Sequence, residues 1–135
     1  VPVVSAGNAR TAVGLWGPPT LYAGVIFWLS SRALVDEVAL LPPWLQADKV
    51  QHGLAYAGLS ALCLRALACG QWEGVTPRRV LTAAAMCVLY GLSDEWHQSF
   101  VPARSADAAD VVADGAGALA SGVALWAWGI IRRVP

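Results

Sequence analysis

From Thr11 to Ser31 the chain carries no charged residue, and Arg10 and Arg32 close the stretch at either end. A helix needs about twenty apolar residues to cross the ~30 Å hydrocarbon core of a bilayer, so a run of this kind is a membrane-span signal. Three more segments of similar length follow, roughly 49–69, 79–98 and 106–130. They predict an all-α fold, an integral membrane bundle of four transmembrane helices in a single domain over residues 1–135. Composition agrees: 57% of residues are hydrophobic, 13% are charged and the mean hydropathy is +0.54. A soluble chain this short would leave too much apolar surface in water. Pro18 and Pro19 fall inside the first segment and predict a kink or a late helix start. The segment lacks a small-residue cleavage site, so it is expected to be retained, and the first residue, Val1, leaves a processed or alternative start open.

Charge asymmetry gives an orientation. Arg10, Arg78, Arg79, Arg132 and Arg133 fall on one side, with Arg65 near enough to its helix end to snorkel there. The other side carries Arg32, Lys49 and Arg104 among Asp36, Glu37, Asp48, Asp94, Glu95, Asp107 and Asp110. By the positive-inside rule both termini are cytoplasmic and the acidic side faces out. Trp16, Trp72, Trp126 and Trp128 fall near the inner boundary, and Trp28, Trp44 and Trp96 near the outer one, as an aromatic belt requires. Net charge is zero and the basic residues are scattered, which leaves no footprint for nucleic acid. Cys63, Cys69 and Cys87 show no CxxC spacing and read as small buried hydrophobes.

Against this apolar background the polar residues concentrate at three helix ends that share the outer side. Asp48, Lys49, His52 and Tyr56 stand at helical spacing on the second helix. Asp94, Glu95, His97 and Gln98 end the third, where two adjacent carboxylates oppose the macrodipole and need a compensating partner. Asp107, Asp110, Asp114, Gly117 and Ser121 form a stripe on the fourth. Ser105 is expected to cap that helix, and Gly117 with Ser121 makes a small-residue face along which another helix can approach closely. Arg104 is the expected partner of the stripe, since a guanidinium pairs with two carboxylates or with a phosphate. Ionisable groups so near hydrocarbon are rare and usually functional. Asp48, Lys49, His52, Tyr56, Asp94, Glu95, His97, Gln98, Arg104, Asp107, Asp110 and Asp114 are therefore the candidate pocket residues.

At these positions the chain resembles the VanZ-like family of small bacterial membrane proteins. The resemblance rests on Asp48-Lys49-x-x-His52 with Tyr56, on Asp94-Glu95-x-His97-Gln98, and on Phe100-Val101-Pro102-x-Arg104-x-x-Asp107-x-x-Asp110 with Gly117. The Ser30-Ser31 ending of the first helix is similar as well. The family commonly has Asn where this chain has Asp114, which makes Asp114 secondary among the site residues. The resemblance implies a multi-pass protein of the bacterial cytoplasmic membrane, in a family whose founding member is associated with low-level resistance to the glycopeptide teicoplanin.

Three classes of function fit these residues. The first is a pocket protein in which Arg104 and Lys49 hold an anionic lipid-linked or peptidoglycan-related molecule, with the carboxylates orienting the cations and histidines. The second is a membrane-embedded hydrolase or transferase using His52 and His97 as acid and base on a phosphate- or acyl-containing substrate. The third is a structural accessory bundle whose buried ion pairs fix helix packing. No HExxH is present, and any metal ligands would have to come from separate helices, so no metal site is assigned.

Overall fold

The computed structural model describes residues 6–32 and 39–132, with side chains of the first helix described from Thr11 onward. The Arg10 side chain, Asp36, Glu37 and Arg133, which enter the charge asymmetry above, lie outside the described residues. Four long helices form among the described residues: α1 (Ala6–Ser30), α2 (Asp48–Leu67), α3 (Pro77–Gln98) and α4 (Ala108–Ile131). Short 3-10 turns, Pro43–Leu45 and Trp72–Gly74, lie between α1 and α2 and between α2 and α3. The all-α class stands, but the bundle of four transmembrane helices does not. Among the described residues only Thr11–Ser30 and Ala108–Ile131 are long and apolar enough to cross a membrane. On α2 the cause is the polar turn Asp48, Lys49, Gln51 and His52 together with Arg65; on α3 it is Arg78, Arg79 and the run Asp94 to Gln98. Residues of the candidate site, together with these arginines, make the two helices too polar to count as spans.

Pro18 and Pro19 neither delay nor break α1, which runs through both. Pro18 has no N–H to offer the carbonyl of Gly14 four residues back. The Arg65 guanidinium donates to that carbonyl oxygen instead, at 3.3 Å. Arg65, partly buried in the last turn of α2, thus reaches α1 through an exposed hydrogen bond. At its other end α4 starts at Ala108, with Asp107 rather than Ser105 as its cap; the Asp107 carboxylate accepts the Ala109 N–H at 2.9 Å. Cys63 and Cys87 are buried as expected, but Cys69 is exposed, in the left-handed conformation (φ 54°) just beyond α2.

The amino ends of α2 and α4 and the carboxyl ends of α1 and α3 meet at one end of the bundle. α2 and α4 run parallel and touch backbone to backbone. A Cβ added to Gly117 would lie 2.7 Å from the Gly53 carbonyl carbon, well inside contact distance. About two turns further along α2, the buried Ser60 hydroxyl donates to the Ala118 carbonyl at 2.9 Å. The core around this seam is small and apolar towards the far end, with Leu64, Ala83, Cys87 and Ala118 fully buried. Towards the near end the buried residues are Asp94, Glu95, Gln98, Asp110 and Asp114. The outer surface is the reverse. Leu21, Leu81, Leu89, Leu92, Val112 and Val123 all stand more than half exposed, an apolar exterior far beyond what a soluble monomer carries.

The seam is asymmetric, because a Cβ on Gly53 meets only the Ala113 carbonyl oxygen at an ordinary 3.6 Å. Gly117→Ala is expected to cost about 3 kcal/mol by forcing the helices apart, whereas Gly53→Ala is expected to be neutral or to stabilise by up to ~1 kcal/mol. Thermal unfolding in detergent of the two variants checks this, and equal losses would contradict the packing described.

Candidate functional site

The stripe on α4 is neutralised from α2. Lys49 Nζ lies 2.6 Å from Asp107 Oδ2 and 3.4 Å from Asp48 Oδ2, and it makes a short hydrogen-bonded pair with Asp110. Hydrogen bonds to Asp107 and Asp110 hold the Lys49 ammonium well above the usual lysine range. The same contact, helped by the Ala109 N–H, holds the Asp107 carboxyl below the usual range. A lowered carboxyl pKa means that the pair persists as pH falls past the ordinary range and is lost only below it. Both side chains are about half exposed, so the cluster forms a rim.

One turn deeper, His52 Nδ1 lies 2.9 Å from an oxygen of Asp114, whose side chain is fully buried. Room for that carboxylate comes from Gly91 on α3, where an added Cβ would approach Asp114 Cγ to 3.3 Å. Only a residue without a side chain lets α3 pass so close. The other His52 nitrogen, Nε2, faces Asp48 and Asp110 at 3.9 Å each. Asp48, His52 and Asp110 offer atoms within 4.8 Å of one another, a spacing compatible with a metal ion. Lys49 already supplies positive charge to two of the three, so no metal is assigned here.

The carboxylates at the end of α3 find the partners that the macrodipole argument demands. Glu95 Oε2 accepts the backbone N–H of Asp107 at 2.7 Å and so completes the start of α4. Asp94 Oδ2 accepts from the Ser30 hydroxyl of α1 at 2.7 Å and from the Gln98 amide at 3.0 Å. Its Oδ1 is buried with no hydrogen-bond partner, as are Tyr56 Oη and Asp114 Oδ2.

Arg104 is not the partner of the stripe. Its Nε and Nη2 each donate to the Arg32 carbonyl at 3.1 Å, and Nη2 also reaches the Leu29 carbonyl at 3.4 Å. Nη1 donates to Gln98 Oε1 at 3.4 Å. All of these acceptors are neutral, and among the described residues no carboxylate pairs with Arg104. The side chain leaves a turn in which Ala103 is held in the left-handed region (φ 65°).

A cavity of about 160 Å³ opens between α1, α2 and α3, with His52, Tyr56, Asp94, Gln98 and Arg104 among its lining residues. Five of the twelve expected residues therefore share this cavity. Asp48, Lys49, Asp107 and Asp110 form the rim cluster beside it, Asp114 lies behind His52, and Glu95 behind the start of α4. His97 is elsewhere: it stacks on Phe27, with ring centroids 4.3 Å apart, and lies 3.0 Å from the Ser31 hydroxyl. The two histidines do not share a pocket. Sequence reasoning missed Ser30, Gln51 and Gly91 as site residues. The Ser30-Ser31 pair was visible only as a resemblance, and a lone glycine three residues before Asp94 was the one available sign of close packing.

His52→Leu is expected to destabilise the fold by about 3 kcal/mol, since it leaves the buried Asp114 carboxylate without its partner. Asp114→Asn should be tolerated within ~1 kcal/mol, because an amide oxygen still accepts from His52 Nδ1–H, and in the His52→Leu background it should restore part of the loss. A double-mutant cycle read by thermal unfolding in detergent tests this, and additive losses would contradict the pairing.

Comparison with known proteins places the chain. A family model described as VanZ/LLP1 matches residues 20–131. No curated protein and no solved structure matches it.

Proposed function

The chain belongs to the VanZ/LLP1 family and is membrane-associated, and from that premise we propose that it binds an anionic group of a cell-envelope ligand at the polar end of its bundle, with Arg104 as the cation that receives it. The observation that carries this is a contrast between two basic side chains. Lys49 is committed to three carboxylates. Arg104 lines the cavity, is held in place by neutral carbonyls and an amide, and has no carboxylate paired with it among the described residues. A guanidinium fixed in this way is preorganised for a phosphate or carboxylate, which it binds in bidentate fashion. Lys49 then acts only on the rim, where it neutralises the carboxylates that would otherwise repel an anion.

An apolar exterior beside this polar end suits a ligand presented from a membrane, such as an anionic lipid-linked or peptidoglycan-related molecule. The polar end would face outward, in keeping with Arg65, Arg78, Arg79 and Arg132 gathered towards the opposite end. Under this proposal any protection against a glycopeptide such as teicoplanin would come from masking or remodelling that surface, with no bond broken. A hydrolase or transferase has less support, because His97 lies outside the cavity and both His52 nitrogens face carboxylates.

Native mass spectrometry of the purified chain should detect a co-purified anionic species that Arg104→Ala loses by tenfold or more and Arg104→Lys retains in part; removal of a charged hydrogen bond supports a change of about that size. Identical bound species in the wild type and Arg104→Ala would refute the assignment.

A further inference from the structure

The cavity that Arg104 lines carries a second, complementary feature. Asp94 is 3% exposed and anchored through one oxygen only: the Ser30 hydroxyl and the Gln98 amide both donate to Oδ2. Oδ1 is left buried and unpartnered on a residue that lines the cavity. Tyr56, 1% exposed and lining the same cavity, has a hydroxyl in the same condition. Leaving a buried acceptor without a donor is costly, and more so for a charged group. Nothing in the packing of α3 demands the penalty, because Asp94 is already tied to α1 through Oδ2. Two such atoms, one on α2 and one on α3, on residues that line the same cavity point to a hydrogen-bond donor that enters from outside.

The two poles are joined by Gln98. Its amide nitrogen donates to Asp94 and its amide oxygen accepts from Arg104, so an acceptor pole and a cationic pole stand one side-chain amide apart. The complement of that arrangement carries its own positive N–H donors and its own negative charge, separated by a short linker. We propose that the cavity is a zwitterion site, which takes a primary ammonium on Asp94 Oδ1 and Tyr56 Oη and a phosphate or carboxylate on Arg104. This rests on the assignment of Arg104 to the anion and adds the opposite half of the ligand. A quaternary ammonium fits poorly, since it has no N–H to give Asp94. A ligand with a purely anionic head satisfies Arg104 but places its remaining polar groups beside an unpaired carboxylate. Two sources share the required chemistry: an ethanolamine-type lipid headgroup at the membrane surface, and a free small zwitterion such as phosphoethanolamine or an amino acid.

The test compares, on the wild-type full chain in detergent, native mass-spectrometric retention of phosphatidylethanolamine, phosphatidylcholine and phosphatidylglycerol of equal acyl length. About tenfold preference for the ethanolamine lipid is expected from one charge-assisted hydrogen bond, and Asp94→Asn should reduce it towards unity. Free phosphoethanolamine is added in a second arm. Displacement of the lipid, or thermal stabilisation without lipid, assigns the site to a soluble zwitterion, and neither effect alongside lipid preference assigns it to the headgroup. Equal retention of all three lipids, with no effect of free phosphoethanolamine, would overturn the zwitterion site; if Arg104→Ala still abolished retention, the anion assignment would survive that result. Retention unchanged in Arg104→Ala would remove the anion assignment itself. The wild-type lipid series decides the matter even if Asp94→Asn fails to fold.

Discussion

The backbone contact between Gly53 and Gly117 is the constraint on which the polar end of the molecule depends. Two parallel helices that approach this closely bring every residue one turn away into register. Lys49 then reaches Asp110, His52 meets Asp114, and deeper in Ser60 finds the Ala118 carbonyl. Had a side chain at Gly117 held the helices apart, the ion pair and the histidine–carboxylate pair would have opened together, leaving buried carboxylates without partners. Small residues at a helix interface serve here to position charge as well as to pack.

That seam also explains how a bundle can be apolar outside and charged within. Four buried carboxylates, Asp94, Glu95, Asp110 and Asp114, gather near one end, and each draws a donor or a cation from a different helix than its own. Asp94 and Glu95 sit at the negative end of α3, where no dipole argument favours them. Their compensation comes from the α1 Ser30 hydroxyl and from the backbone N–H at the start of α4, the latter a group that a helix terminus leaves unpaired in any case. The ends of helices are mutually satisfying across the bundle, which lets ionisable groups remain in an environment that otherwise excludes them.

Much of this was legible in the sequence, and the parts that were not share a cause. Spacing alone placed Lys49, His52, Asp110, Asp114 and Gly117 on facing stripes, because helical periodicity survives in any context. The number of spans was misread because apolar length was counted through Asp94, Glu95, His97 and Gln98 on α3, and through Asp48 to His52 on α2. Those residues extend a helix without making it a membrane span. Partner choice was beyond periodicity. Arg104 looked like the mate of the α4 carboxylates because a guanidinium can pair with two of them, yet it leaves the turn at Ala103 towards the carbonyls of Leu29 and Arg32 at the end of α1. Lys49, which reads as a surface-seeking side chain, was the closer cation. His97 lies one turn on from Asp94, about 60° round the helix, and that offset sends it to Phe27 and Ser31 of α1 instead of into the cavity. The continuity of α1 through Pro18 and Pro19 depended on Arg65, which comes from another helix altogether.

The turn that delivers Arg104 has one more implication. Ala103 occupies a backbone region in which a Cβ costs roughly 1–2 kcal/mol, and where glycine is the customary occupant. A glycine would relieve the cost and, at the same time, release the two dihedrals immediately before the guanidinium. Alanine confines them to a narrow well. The charge at the end of this loop is consequently presented at one fixed bearing, with little wobble for an incoming anion to suppress.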